Sequence, residues 1–463
     1  MWGLIPDRTY PFLLGPEGYI TINDVNDLQA MNLNPNGHYI LGGDIDASIT
    51  ASWNGGHGLI PIGANHNPFT GTFEGKGHTI SGVFVRNGIS YFSWFVGLFE
   101  SAISPAYVSD VRLENFELYG TTVGALAGYA NGATFRNINI SGKVWGGRSG
   151  GAIGHASDTN LYSVHANCEV IGQDRVGGLI GWYRSFGLPP NPQLLDSSSS
   201  GSVVGRNFVG GLIGSADARG VIEGCSSSAS VSGADFVGGF IGKQSLTVIR
   251  DSFCNGDVFS VNQVGGFAGY HLLATHTWCS GSMSNVVGEY QVGGFVGYAE
   301  GNPFANTGTI NQSFSTGSVV GMNEVGGFAG TSTKGFEIVD SYRTGPVGGI
   351  TRVGGFAGSI TVESVLNRTY SAGKVTGSTG AGGLVGSNDG GSVVASFWDV
   401  SLTGRIVSGG GTGLPTSKMV RPGTFESAGW DLDTIWDIQA RESYPFLRCS
   451  PVLHVPLASR NKR

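Results

Sequence analysis

The sequence predicts an all-β protein, a parallel β-helix (β-solenoid) built from coils of about 27 residues. Three observations carry this. A six-residue phrase, Val-Gly-Gly-apolar-apolar-Gly, recurs along most of the chain. Short β-prone runs alternate with Gly, Asn, Asp and Ser, the usual turn formers. Helical periodicity of useful length is missing.

Clear copies of the phrase begin at Val176, Val209, Val237, Val264, Val292, Val325 and Val353. Looser copies begin at Val123, Ser149 and Ala381, and a degenerate one at Val96. Successive starts are 27, 26, 27, 33, 28, 27, 28, 33, 28 and 28 residues apart. That period holds two or three short strands with their corners, and each coil should stack on the last at about 4.8 Å. A propeller blade needs about 40 residues or more, so it ranks second. Between copies a second phrase recurs, as in Ile310–Val319 and Ile338–Val347, with an apolar first position.

Composition agrees. Glycine makes up 80 of the 463 residues, well above the usual share of about 7%. An apolar fraction of 40% supports a real core, and the glycines follow no collagen period. A net charge of −7 with only 26 Lys+Arg is a poor match for nucleic acid or anionic lipid. No apolar run reaches 18 residues, so no membrane span is expected. Asp174, Asn207, Asp235, Asn262 and Asn323 stand two residues before the motif Val, where Asx-type turns would suit a corner.

The flanks depart from the repeat. Residues 1–37 read as an N-terminal segment and cap, 38–410 as the solenoid, and 411–463 as a C-terminal cap and tail. Asn23–Met31 offers an N-cap followed by Val25, Leu28 and Met31 at helical spacing. Trp430 and Trp436 are expected to seal the far end. One phrase appears near both termini: Trp2 with Tyr10-Pro-Phe-Leu13, and Trp436 with Tyr444-Pro-Phe-Leu447. Matching ends suit a segment of a tandem protein, or end-to-end self-association into a fibre.

The repeated Val-Gly-Gly-Leu/Phe-x-Gly resembles the GLUG motif of bacterial and archaeal surface proteins, also found beside the catalytic domain of immunoglobulin A-specific metalloproteases. The resemblance covers roughly residues 40–447. It implies an extracellular or cell-surface β-solenoid, a stalk or adhesin. Protease activity does not transfer, because none of the nine histidines is followed by Glu and the His-Glu-x-x-His zinc motif is absent.

Chemical motifs are sparse, and no catalytic residue, metal or cofactor is assigned. Gly147-Arg-Ser-Gly-Gly151 fits a nucleophile pattern, yet Ser149 fills the Val slot of a repeat. Asp44 and Asp46 are too few for calcium and read as an exposed polar face. A polysaccharide lyase or hydrolase is the alternative reading; it would need an acid–base cluster, for which Asp251, Asp257, His271 and His276 are the richest region. Of the five cysteines, alignment on Gly256 and Gly281 puts Cys254 and Cys279 at one slot in consecutive coils, read as two buried thiols.

The residue after the last motif Gly is aromatic or His in several coils: Tyr129, His155, Trp182, Tyr270 and Tyr298. With Tyr183, and with Phe186 and Phe304 of the two longer intervals, these form an expected aromatic strip along one edge. Sugar rings stack on such surfaces, so Tyr129, His155, Trp182, Tyr183, Tyr270 and Tyr298 are the candidates for contact with a polysaccharide or cell-surface glycan. The bland reading is that the rings merely stack on each other.

Overall fold

A computed structural model describes residues 18–64, 66–86, 94–185, 187, 191–272, 276–302 and 308–450, together with the backbone of 2–3 and 12–13. The chain forms two compact units, Met1–Ser230 and Val231–Arg463. Both are parallel β-solenoids with coils of about 28 residues and little helix, as the repeat predicts.

In the first unit, Ile20–Ile22 pairs in parallel with His38–Leu41, which pairs with Thr72–Glu74, which in turn pairs with Tyr107–Gly124. The stack therefore includes a strand ahead of residue 38. Tyr107–Gly124, Thr134–Gly150 and Asn160–Ile171 continue it in register. The expected helix forms at Val25–Ala30. The Asp24 carboxylate accepts from the backbone amides of Asn26 and Asp27, and Val25, Leu28 and Met31 are buried.

A coil of the second unit shows how the motif works. It has four short strands, Asn323–Gly326, Ala329–Thr333, Glu337–Arg343 and Val347–Gly348, more than the two or three expected. Gly327 and Phe328 turn the corner between the first two. A β-carbon on Gly326 would lie 1.8 Å from the Ala329 carbonyl oxygen, and one on Gly330 2.5 Å from Gln291 of the preceding coil. Backbone crowding, not positive φ, is thus what demands the motif glycines. The apolar residue after the paired glycines points inward, and Phe240, Phe267, Phe295, Phe328 and Phe356 stack at 4.5–4.8 Å, with interplanar angles of 2–7°. These are the coil spacings of a parallel ladder.

Left-handed backbone falls elsewhere, on Phe208, Phe236, Gln263, Gln291, Glu324 and Arg352 directly before the motif Val. The Asn and Asp residues one position earlier bond between coils instead of making the local turns expected: Asn207 Nδ2 donates to Asp174 Oδ1, and Asn262 Nδ2 to Asp235 Oδ1, each at 2.6 Å. Such ladders satisfy polar groups along the stack.

The C-terminal segment does more than end the last coil. It runs back over an outward column formed by Phe314, Tyr342, Tyr370 and Phe397, and buries Phe425, Trp430, Trp436, Tyr444 and Phe446 against it. Trp436 Nε1 donates to Asp340 Oδ1 at 3.0 Å, Tyr370 OH to the Pro445 carbonyl at 2.7 Å, and Tyr444 OH to Asp399 Oδ2 at 2.7 Å. Asp340 also accepts from Nε and Nη2 of Arg368, each at 2.7 Å. The two terminal phrases adopt one pairing: Trp2 opposite Leu13 and Gly3 opposite Phe12, Trp436 opposite Leu447 and Asp437 opposite Phe446, both antiparallel.

None of the five cysteines forms a disulfide. Cys254 aligns with Ser282, not with Cys279. Gly281 lies opposite Phe253, so the alignment on glycines was three residues out of register.

Candidate functional site: an aromatic edge lined by arginines

In the first unit Ala127–Asn131, Ile153–Ser157 and Ile180–Arg184 pair in parallel with Tyr129, His155 and Trp182 in one column. Strand alternation turns these three side chains away from the lumen and the next residue into it. The rings stack continuously from Phe95: Phe95 to Tyr129 at 5.2 Å, Tyr129 to His155 at 5.1 Å, and His155 to Trp182 at 4.4 Å and 16°. Tyr183, one residue on, is therefore wrong for the strip. It is fully buried, its hydroxyl donates to the Thr159 carbonyl at 3.4 Å, and burial pushes its phenol well up.

Trp182 has an unusual setting. The guanidinium carbons of Arg148, Arg175 and Arg184 lie 4.8, 4.7 and 4.8 Å from its ring centroid, within the range of cation–π attraction. Its Nε1 donates to Asp217 Oδ2 at 3.0 Å, which fixes the indole plane. Arg184 shares the strand face of Trp182, while Arg148 and Arg175 come from adjacent coils just before the motif Val slots. Burial, and then the neighbouring Arg175 charge, hold the Arg148 guanidinium below its ordinary range. Burial first, followed by the three arginines, pushes His155 down to about 3, so it is a neutral spacer in the stack. The Nε atoms of Arg148 and Arg175 are buried without a hydrogen-bond partner.

Tyr270 and Tyr298 form a separate pair in the second unit. Phe236 stacks on Tyr270 at 5.4 Å and Tyr270 on Tyr298 at 5.5 Å. The Tyr270 hydroxyl bonds to Glu300, which Lys334 neutralises at 2.5 Å. Phe186 and Phe304 lie outside the described residues.

One column escaped the sequence reading. Phe84, Tyr119 and Trp145 follow one another at 5.9 and 4.6 Å, with Arg86 over the first two rings and Lys143 over the third. Tyr119 and Trp145 are in register. The available signal was their common offset before the motif, four residues ahead of Val123 and of Ser149.

The region proposed for acid–base chemistry is divided between the lumen and the surface. His271 is fully buried against Thr277 at 3.1 Å, and burial pushes it down to about 3, whereas His276, Asp251 and Asp257 are exposed. Ser149 is buried and donates to the Ile171 carbonyl at 3.1 Å. Asp44 accepts from the Thr79 amide of the next coil and lies 3.3 Å from His78 Nδ1, and Asp46 accepts from the Ser48 amide in a local turn.

The fold is a parallel β-solenoid, and one stretch of its repeat matches a known motif. Residues 288–320 match the family model described as the GLUG motif. The chain is similar to halomucin of Haloquadratum walsbyi, with 37% identity over 152 residues, 31% of this chain and 2% of that protein. It is also similar to a protein of Evansella cellulosilytica provisionally named a Gly-rich membrane protein, with 46% identity over 55 residues, 12% of this chain and 6% of that one. The matches thus span only a small fraction of either relative. Among solved structures, a Bacteroides ovatus protein provisionally described as an immunoglobulin A1 protease aligns at TM-score 0.43 and 18% identity, over 52% of this chain and 76% of that one. Among the described residues no helix is long and apolar enough to cross a membrane.

Proposed function

We propose that the chain is a non-catalytic, surface-associated β-solenoid, a stalk or adhesive segment, whose Tyr129–His155–Trp182 edge holds an anionic polysaccharide. The observation that carries this reading is the half-buried Trp182 ring with three guanidiniums within 4.8 Å of its centroid. Guanidinium forks bind carboxylate or sulfate bidentately, and the Nε atoms of Arg148 and Arg175 have no hydrogen-bond partner. Parallel coils repeat the platform along one line, which suits a polymer better than a small ligand. The names of the two relatives, a mucin-like one and a membrane one, support a surface location.

Affinity electrophoresis through gels containing polygalacturonate or dextran tests the reading. The native chain is expected to be retarded by polygalacturonate, less so at high salt, and Trp182→Ala to lose at least about tenfold in affinity, in line with an aromatic anchor. Equal mobility of the native and Trp182→Ala chains would count against this edge.

A further inference from the structure

The lumen of the second unit contains a charge that the surface function does not use. Ser315, Arg343 and Ser371 stand in register in three successive coils. Each faces the second glycine of a motif: β-carbons on Gly294, Gly327 and Gly355 would lie 2.3 Å from Ser315 Oγ, 2.1 Å from Arg343 Nε and 2.4 Å from Ser371 Oγ. The column otherwise holds small residues, and at two positions the side chain bonds to the opposing glycine carbonyl. Ser199 Oγ donates to Gly211 at 2.7 Å, and Cys254 Sγ to Gly266 at 2.9 Å. Arg343 breaks that pattern. It is 0% exposed, and its Nε, Nη1 and Nη2 lack any hydrogen-bond partner, as do Ser315 Oγ and Ser371 Oγ.

We infer that Arg343, with Ser315 and Ser371, forms an internal binding site for a small inorganic anion of the chloride type. All three nitrogens of a guanidinium donate and none accepts, and serine hydroxyls rotate to donate as well. Five unsatisfied donor atoms in three successive coils therefore ask for an acceptor. A buried charge without an opposite charge is among the most unfavourable arrangements in a protein. The carboxylate of the same coil, Asp340, is already held by Arg368 and Trp436. Burial alone pulls Arg343 down to about 9, with no neighbouring charge contributing, so the side chain is still cationic at neutral pH.

Because the lumen is closed by stacked coils, the ion should enter during folding. The test is to refold the chain from denaturant in bromide, crystallise it and record anomalous scattering at the bromine edge. A bromide peak at hydrogen-bond distance from the Arg343 guanidinium is expected. In parallel, thermal unfolding is followed at fixed ionic strength while chloride replaces gluconate. The native midpoint should rise with the logarithm of chloride, as for one ion bound only by the folded state. Arg343→Ser, which installs the residue found at 315 and 371, should fold and show no such slope. Density for water alone beside Arg343, a native midpoint indifferent to chloride, or an undiminished slope in Arg343→Ser would each overturn the assignment.

Discussion

At Gly326 the added methyl of alanine would meet a carbonyl oxygen at 1.8 Å, whereas at Gly348 the nearest atom is the Thr376 hydroxyl at 3.1 Å. Gly326→Ala is therefore expected to destabilise the second unit by about 1–3 kcal/mol, as overpacking of a rigid interior does, and Gly348→Ala to change it far less. Urea titrations of the two variants check this. Histidine makes a second prediction at the same scale. The folded state depresses His155 and His271 to about 3, below their ordinary value of 6.5. Between those values the unfolded chain binds more protons than the folded one, so stability falls as pH drops below about 6.5 and keeps falling toward 3. Replacing the fully buried imidazole in His271→Asn should flatten that acid dependence. An unchanged pH profile of the unfolding midpoint would show that the ring is not held neutral.

Two elements differ in how far they could be read from the sequence. The motif strands and the aromatic column were legible because identical offsets in successive coils place Tyr129, His155 and Trp182 together once the stack is parallel and in register. Tyr183 was misassigned by neglect of strand alternation, a single-residue matter. Arg184, two residues from Trp182 on the same strand, was legible, but Arg148 and Arg175 reach the ring only through the winding and stacking of coils. The C-terminal segment was the larger surprise. Nothing local in Trp430–Leu447 tells a cover over the coil end from one along the side; the deciding partners, Asp340, Tyr342 and Tyr370, are distant in sequence. Trp436 is fully buried there, and Trp436→Ala should destabilise the second unit by about 3–5 kcal/mol. Exposure of the Tyr342 and Tyr370 rings should follow, seen as faster proteolysis within residues 416–450. Unaltered resistance would mean that the segment is held by other contacts.

For the whole molecule, the period of the phrase, its paired glycines and the lack of chemical motifs pointed to a scaffold, and both units are solenoids. Fold alone assigns no activity; the functional reading rests on the aromatic–arginine edge. The most direct measurement is size-exclusion chromatography of neutral and acidic polysaccharides after incubation with the purified chain. The account predicts an acidic polymer of unchanged length that co-elutes with the native chain and separates from Trp182→Ala. Shortened products, or an acidic polymer that elutes free of the native chain, would contradict it.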